Sequence, residues 1–379
     1  MAKHSILKDK TLALFFTTGV SLKLWHEIGM IDREVAIYNE LSKYFKHIYF
    51  LTYGGKEDLS FKDYLADNIT ILPRKYLPGN IWYSPLYSLL MPFIYFKIFK
   101  KVDILKTNQM SGSWAAVLAK IIYRKRLLVR TGYMLSIHFN KRNPKSRKLW
   151  LMKAIERLAY RSADVIITTS RINFDYVTRN YHPRGVHALI PNYVETDRFK
   201  PMPVSKPKGS ICFVGRLTEQ KNLFALLEAL SSLPYNLSLI GSGEQEEELK
   251  KFAAQNRGNI NFLGNVPNQK LPKILNEHEL FVLPSLWEGM PKTLLEAMAC
   301  GLPVVGTNID GTRDVIRHGE NGILCKTDAE SIREAITLVM ADEALRQKLG
   351  RGARQTIEEG FSLKKLVAQE LLLLAQLSG

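Results

Sequence analysis

Cysteine is scarce in this sequence, and the few cysteines are not spaced for a shared bond or ligand. Among 379 residues there are only Cys212, Cys300 and Cys325, far apart and without a CxxC or Cys/His spacing. Such a set argues against a disulfide framework and against a zinc site. Repeats, low-complexity segments and unusual glycine or proline content are lacking too, which leaves disordered, solenoid and collagen-like classes without support. We expect a globular protein of a reducing compartment.

The amino-terminal region lacks the marks of a secretory leader. Lys3, Lys8 and Lys10 precede an apolar run, but residues 11–18 are only a strand's length and no small-residue cleavage site follows. We therefore expect no signal peptide.

Acidic residues are few in the first half of the chain. Residues 1–190 contain 31 Lys and Arg against 13 Asp and Glu, a net charge of +18, whereas the remaining residues carry 22 against 23. The formal net charge of +17 thus comes from the first half. An excess confined to one half indicates an anionic partner for that half, such as an acidic lipid surface, a diphosphate-linked acceptor or nucleic acid.

Short β-branched and aromatic runs alternate with amphipathic stretches, which is typical of βα units with parallel sheets. In the first half we predict strands at residues 11–17, 47–53, 68–73, 103–108, 126–131, 164–170 and 186–190. In the second half we predict strands at residues 211–216, 236–243, 260–264, 279–285, 303–308 and 322–325. The fold class is therefore α/β, with two Rossmann-like domains.

Four prolines between residues 191 and 207 interrupt the periodic pattern and mark a connection between domains. The predicted organisation is an N-terminal domain at 1–190, a linker at 191–208, a C-terminal domain at 209–360, and a terminal segment at 361–379. We expect the terminal segment to form a helix that packs back on the N-terminal domain.

Two cations follow the first strand of the second half. Arg216 stands at the end of the predicted strand, and Lys221 stands five residues on, at the start of a predicted helix. Such cations can stabilise the negative charge that develops on a departing diphosphate, although two solvated surface cations would give the same pattern. The next strand ends in Gly241-Ser242-Gly243, which allows close approach of backbone to phosphate or simply a turn.

The most informative segment is LPSLWEGMPKTLLEAMACGLPVVGT at residues 283–307, which predicts strand, turn and helix in that order. Glu288 falls in the turn, Pro291 suits the first helical turn, and Glu296 lies further inside the helix. Either glutamate could serve as a simple helix cap. Carboxylates also accept hydrogen bonds from vicinal sugar hydroxyls, so one glutamate could hold a donor sugar and the other a ribose.

These motifs together resemble the retaining glycosyltransferases of family 4, also described as glycosyl transferases group 1. The matching segments follow one another at the family's spacing, with the two glutamates in its E-x7-E signature: FVGRLTEQKNL, GSG, INFLGNV, residues 283–307 and GTRDVIRHGENGIL. The resemblance implies the GT-B fold, in which two Rossmann-like domains face each other across a cleft. It also implies transfer of a sugar from a nucleotide diphosphate to a glycan or lipid-linked acceptor, in synthesis of cell-surface polysaccharide or glycolipid.

The resemblance assigns roles to individual residues. The catalytic set is Arg216, Lys221 and Glu288. The donor-binding set is Gly19, Gly215, Gly241, Gly243, Asn265, Val266, Gly289, Met290, Pro291, Lys292, Thr293 and Glu296. The resemblance further implies that the donor is a UDP- or GDP-sugar and that no cofactor is required. Because the strand-end loops show no DxD-type carboxylate pair and two cations can neutralise the diphosphate, we expect no metal.

The acceptor side departs from the family's pattern. Many members carry a histidine after the fifth strand, where this chain reads VRTGYMLSIHF. Candidate acceptor contacts are Ser21, Arg130, Tyr133 and His138, although a lone histidine such as His138 is more often structural.

Residues 81–96 are uncharged and aromatic-rich, with Lys97, Lys100 and Lys101 just beyond. The segment is too short to span a bilayer, but it could lie in a membrane interface, or it could be a buried helix. Basic clusters at 124–126 and 141–148 favour attachment to an anionic surface. We expect a cytoplasmic enzyme bound peripherally to the inner face of the membrane.

Two other functions remain open from the sequence. A nucleotide-sugar epimerase of the same fold would need acid and base residues that the motifs do not supply. A nucleic-acid-binding protein would explain the basic half, but no helix-turn-helix, zinc finger or RNP-type signature accompanies the charge.

Overall fold

A computed structural model describes residues 6–76, 84–137, 148–255 and 259–377. The chain divides into two compact units. Unit 1 comprises residues 1–191 and 366–379, and unit 2 comprises residues 192–365. Each unit contains one wholly parallel sheet with helices, so both are Rossmann-like α/β units.

Unit 1 is built on a seven-stranded sheet of order β3-β2-β1-β4-β5-β6-β7. Its strands are β1 Thr11–Phe15, β2 His47–Leu51, β3 Ile69–Leu72, β4 Ile104–Thr107, β5 Arg126–Thr131, β6 Val165–Thr168 and β7 Val186–Leu189. Its first helices are α1 Leu22–Glu27, α2 Ile31–Ser42, α3 Ser84–Ile94, α4 Phe96–Lys101, α5 Ser113–Tyr123, α6 Lys148–Ser162 and α7 Arg171–Tyr181. The central strands β4 and β6 are buried along their whole length, as expected of parallel strands covered on both faces.

Unit 2 is built on a six-stranded sheet of order β10-β9-β8-β11-β12-β13. Its strands are β8 Ser210–Val214, β9 Asn236–Ile240, β10 Asn259–Gly264, β11 Leu280–Leu283, β12 Val304–Thr307 and β13 Ile323–Cys325. Its helices are α8 Leu223–Leu230, α9 Glu246–Gln255, α10 Leu271–Asn276, α11 Lys292–Ala299, α12 Asp310–Arg313, α13 Ala329–Ala341 and α14 Glu343–Gly360. The last helix of the chain, α15 Leu363–Gln376, belongs to unit 1 from residue 366 onward.

All thirteen predicted strands are confirmed, but several end earlier than the sequence suggested. The prediction at 236–243, for example, ends at Ile240, because Gly241 has a φ of 131° that no strand residue adopts. The residues lost from the strand ends form the loops at the carboxyl edge of each sheet.

Each sheet has a point where the strand order reverses. In unit 1 it lies between β1 and β4, and in unit 2 between β8 and β11. Loops leaving adjacent strands at such a point diverge and leave a crevice at the carboxyl edge, where open α/β sheets bind ligands. The loops after β8 and β11 are therefore the first place to look for a site in unit 2.

A buried charged cluster fixes helix α15 within unit 1. Glu370 of α15 lies 3.1 Å from the Lys106 ammonium and 3.4 Å from the Arg130 guanidinium. Glu370 and Lys106 are fully buried, and Arg130 is nearly so. Glu370 of α15 is thus the shared counter-charge of a cation in β4 and a cation in β5.

The pH dependence of stability should include a contribution from His187 in β7. Its ring lies within hydrogen-bond distance of the Thr168 and Thr178 hydroxyls and stacks on Phe174, and burial lowers its pKa from 6.5 to about 4. Because the unfolded chain then binds this proton more readily, stability should be full above pH 6.5 and fall as the pH drops toward 4. Denaturant midpoints of the wild type and of His187→Gln would check this, since the variant should lose less stability over that range. Equal losses would contradict the assignment.

Candidate functional site

The loop after β8 carries both predicted cations. Arg216 is exposed, and one residue separates it from the end of β8. Lys221 ends a 3-10 turn, Glu219–Lys221, and is 9% exposed. Helix α8 begins only at Leu223, because Asn222 adopts a left-handed conformation with φ 53°. Lys221 therefore lies just before the helix rather than inside it.

The loop after β11 brings Glu288 to Lys221. Their side chains form an ion pair and are 8% and 11% exposed, respectively. The Ser285 hydroxyl donates to the same carboxylate at 2.7 Å, and the Gln220 amide donates to its other oxygen at 3.5 Å. Glu288 is thus a shielded carboxylate with several donors around it.

Hydrogen bonds to backbone carbonyls hold these two loops together at the point where the strand order reverses. The Leu286 N–H donates to the Gln220 carbonyl at 2.9 Å, and the Gln220 side chain donates to the Trp287 carbonyl at 2.8 Å. The Asn222 amide donates to the Pro284 carbonyl at 3.1 Å. Gln220 and Asn222 therefore position the pair, and no pattern in the sequence singles them out.

Glycines allow the loops after β8 and β9 to touch. A Cβ on Gly241 would lie 2.0 Å from the Gly215 carbonyl oxygen, and one on Gly243 would lie 2.2 Å from the Leu217 carbonyl oxygen. The close packing of these two loops therefore requires both glycines, independently of any contact with a ligand. Their predicted role toward the donor, and that of Gly215, stays a prediction.

The turn from Glu288 into α11 contains five of the twelve predicted donor-binding residues. Gly289 and Met290 precede Pro291, which is the N-cap of α11, so Lys292 and Thr293 form its first turn. The Asn192 amide donates to the Met290 carbonyl at 2.9 Å and holds the turn from outside. The amino end of this helix thus lies beside Glu288, where its dipole favours an anion.

Glu296 lies deeper in α11 and is 2% exposed. The Asn268 amide donates to it at 3.0 Å, and Asn268 accepts in turn from Arg198. Asn265 and Val266, predicted near the base, follow β10 on the same stretch of chain, with Asn265 exposed and Val266 half-buried. The ribose role of Glu296 stays a prediction, and Asn268 is its newly found partner.

In unit 1 the loop after β1 contains Gly19 and Ser21. Gly19 has a φ of 79°, and Ser21 caps α1 by accepting from the Leu24 N–H at 3.0 Å. The fully buried Asp58 accepts from the N–H groups of Leu22 and Lys23 at 3.2 and 3.0 Å. Asp58 therefore fixes the amino end of α1 from 35 residues away, and no motif indicated it.

Of the remaining predicted acceptor residues, the structure describes Arg130 and Tyr133. Arg130 points into the cluster with Glu370 and also donates to the Pro191 carbonyl at 3.3 Å, so its guanidinium is engaged inside unit 1. Tyr133 is 38% exposed in the loop after β5. His138 lies outside the described residues. Any acceptor role for Arg130 would have to compete with its buried partners.

Replacing Asp58 should loosen the loop after β1 without abolishing the fold. In Asp58→Asn the amide can still accept one N–H, but the charge that favours the helix amino end is lost, at a cost of about 1–2 kcal/mol. If the loop serves donor binding, the KM for the donor should rise more than kcat falls. Steady-state kinetics would check this. The exposed neighbour change Glu57→Gln is the control and should leave both constants near wild type.

In the described part of the chain, no three His, Cys, Asp or Glu side chains are grouped so that they could hold a metal ion. No helix there is long and apolar enough to cross a membrane.

Family models match both halves of the chain. The model described as Glycosyltransferase Family 4 matches residues 40–198, and the model described as Glycosyl transferases group 1 matches residues 195–356. The two matches follow each other with almost no overlap. Together they account for most of the chain.

Curated relatives are similar at modest identity. The UDP-Gal:alpha-D-GlcNAc-diphosphoundecaprenol alpha-1,3-galactosyltransferase of Escherichia coli is 28% identical over 82% of this chain and 85% of its own length. An uncharacterized glycosyltransferase of Methanocaldococcus jannaschii is 29% identical over 57% of this chain and 59% of its own. The glycogen synthase of Mycobacterium tuberculosis is 29% identical over 55% of this chain and 53% of its own. The chain thus spans only about half the length of several curated relatives it matches.

Solved structures share the fold. The sucrose-phosphate synthase of Thermosynechococcus elongatus superposes with a TM-score of 0.76 at 19% identity, covering 97% of this chain and 99% of that chain. Anabaena HepE in complex with UDP gives 0.76 at 16% identity, covering 97% and 100%. The family models, the relatives and the two parallel-sheet units agree, and the chain belongs to the family 4 glycosyltransferases with the GT-B fold.

Proposed function

We propose that this protein transfers a sugar from a nucleotide-diphosphate donor to a glycan or lipid-linked acceptor, with retention of the anomeric configuration. The observation that carries the proposal is the Lys221–Glu288 pair, held where the strand order of unit 2 reverses. A cation and a carboxylate at such a crevice suit a ligand that has both phosphates and hydroxyls.

Lys221 and the exposed Arg216 supply the electrostatic part of the mechanism. As the bond between the sugar's anomeric carbon and the diphosphate oxygen breaks, negative charge grows on the diphosphate. Cations fixed beside it stabilise that charge more in the transition state than in the ground state. The amino end of α11 adds its dipole in the same loop region.

The anomeric configuration is retained if the acceptor hydroxyl attacks the anomeric carbon on the same face of the sugar from which the diphosphate departs. The acceptor oxygen then bonds to the anomeric carbon, and its proton passes to the departing phosphate oxygen. No protein base is required in this step. Glu288 orients the donor sugar through its hydroxyls, and Glu296 serves the ribose.

The donor proposal has support from neighbours of the same fold. Structures of HepE contain UDP, UDP with glucose, and UDP-glucose. The Escherichia coli relative is named for a UDP-Gal donor. A UDP-sugar is therefore the first donor to test, and a GDP-sugar the second.

The acceptor is proposed to bind unit 1 and to be anionic or membrane-linked. The excess of +18 in residues 1–190 supports this, since a diphosphate-linked lipid brings negative charge to its partner. The Escherichia coli relative is named for an acceptor that is a sugar on diphosphoundecaprenol. We place the protein at the cytoplasmic face of the membrane, with surface polysaccharide or glycolipid as its product.

Incubation with UDP- and GDP-sugars and lipid-diphosphate acceptors tests the proposal. Sugar transfer, with slow donor hydrolysis in the absence of acceptor, is the expected result. An epimerised donor formed without acceptor would instead favour an epimerase of the same fold. Absence of both transfer and hydrolysis across the common donors would overturn the proposal.

A further inference from the structure

Helix α3 presents an apolar stripe to the outside of unit 1. Leu86, Leu89, Leu90 and Phe93 stand at helical spacing and are 48, 50, 38 and 56% exposed. Residues of that spacing share one face of a helix. A helix facing water would carry polar side chains there, whereas α3 contains no charged residue at all.

The stripe continues over the neighbouring helices. Phe96 of α4 is 44% exposed, and Ile121 at the end of α5 is 66% exposed. The Tyr123 hydroxyl of α5 donates to the Pro92 carbonyl of α3 at 2.9 Å, and α5 packs against both α3 and α6. These helices therefore form one layer with a shared outer face.

Helix α6 adds large side chains to that face. Trp150 is 75% exposed, Leu151 is 47% exposed and Leu158 is 50% exposed. Contiguous exposed apolar surface of this kind marks an interaction site rather than ordinary surface. An exposed tryptophan beside basic residues is typical of side chains at lipid headgroup depth.

All exposed charges on these four helices are positive. The single acid in α3 to α6 is Glu156, which is fully buried and accepts from Ser136 and Tyr181. The exposed basic residues are Lys97, Lys100, Lys101, Lys148, Lys153, Arg157 and Arg161. A face with apolar side chains and only positive charges complements an anionic lipid surface.

A basic cavity lies at the edge of the same layer. It measures about 620 Å³, and its lining includes Ile121, Arg126, Arg161 and Arg184. The acid in its lining, Asp164, is already paired with Lys120 and Arg126. Guanidinium groups of this kind bind phosphate well, so the cavity suits a lipid headgroup.

We propose that the outer face of α3 to α6 docks on an anionic bilayer, called here the docking face. Its apolar side chains enter the headgroup boundary, while its lysines and arginines meet the headgroup phosphates. A second copy of the chain would bring together two faces whose exposed charges are all positive, which charge repulsion opposes. The inference rests on the proposed function, because an acceptor anchored in lipid must be reached at the bilayer surface.

Vesicle co-sedimentation tests the docking face. Wild-type protein should pellet with vesicles of phosphatidylcholine mixed with phosphatidylglycerol and bind vesicles of phosphatidylcholine alone far less. Leu89→Ser/Phe93→Ser/Ile121→Ser should bind at least about tenfold more weakly, because three apolar side chains no longer enter the interface. Lys97→Gln/Lys100→Gln/Lys101→Gln should reduce binding and its sensitivity to salt.

The control is Leu338→Ser in unit 2, an equally exposed leucine at 52%, which should bind like the wild type. Circular dichroism and donor hydrolysis in solution should be unchanged in every variant, since all the altered side chains are exposed and outside the donor site. Wild-type levels of binding in both triple variants, or no binding by the wild type, would overturn the proposal. So would a dimer of the wild type that the apolar triple variant abolishes. Membrane binding without any sugar transfer would leave the docking face standing and refute the transferase function.

Discussion

Lys221→Ala should lower kcat for sugar transfer by about 10²–10³-fold, the usual cost of removing one group that stabilises charge in a transition state. Lys221 is held in place by its pair with Glu288 and by the 3-10 turn before α8. The exposed Arg216 would retain part of the stabilisation. Steady-state rates with saturating donor and acceptor provide the measurement.

The variant must be separated from simple loss of stability. The Lys221 and Glu288 side chains are 11% and 8% exposed, and removal of one partner from a buried pair can cost about 3–5 kcal/mol. Lys221→Met/Glu288→Gln removes both charges and should recover most of the stability but none of the activity. Lys250→Ala, at an exposed ion pair in α9, is the control and should retain full activity. Recovery of activity in the double variant would contradict a direct role for Lys221.

Glu370→Gln should destabilise unit 1 by about 3–5 kcal/mol, because it leaves two buried cations without a counter-charge. Lys106 is fully buried, and its burial lowers its pKa, with Glu370 opposing and Arg130 reinforcing that shift. In the variant the unfolded chain holds the Lys106 proton to higher pH than the folded chain. Stability should therefore rise as the pH increases toward 10.5. Denaturant titrations at several pH values measure both effects.

Two matched variants sharpen this test. Gln369→Ala changes the exposed neighbour on the same helix and should stay within about 0.5 kcal/mol of the wild type. Lys106→Met/Arg130→Met/Glu370→Leu replaces the whole cluster with apolar side chains and should recover most of the loss. A wild-type midpoint for Glu370→Gln would mean that the cluster does not hold α15.

The strands could be predicted because buried parallel strands leave a direct mark on the sequence. Runs such as TLALF and LFVL have few alternatives once they alternate with helical patterns. The strand ends were less certain, since polar and glycine residues such as Gly241 extend the apparent run into a loop. The order and spacing of the family's motifs then predicted the GT-B fold for the two domains.

Only those site residues could be predicted that lie in loops at the carboxyl ends of neighbouring strands. Lys221 and Glu288 lie 67 residues apart, yet both follow strands that are neighbours in the sheet, so their meeting follows from topology. Asn268 and Asp58 reach their partners from other parts of the chain, and no pattern in the sequence links them. Lys106 and Arg130 do indicate a buried anion, because a cation inside an apolar strand needs a counter-charge. No pattern in the sequence identifies Glu370 as that anion.

We expect unit 2 to bind a nucleoside diphosphate through the loops after β8 and β11. A crystal structure of the protein soaked with UDP tests it most directly. We expect the diphosphate within hydrogen-bond distance of Arg216 and Lys221, beside the amino end of α11, with the ribose hydroxyls toward Glu296. UDP bound away from these loops, with Lys221 and Glu288 still closed on each other, would contradict it.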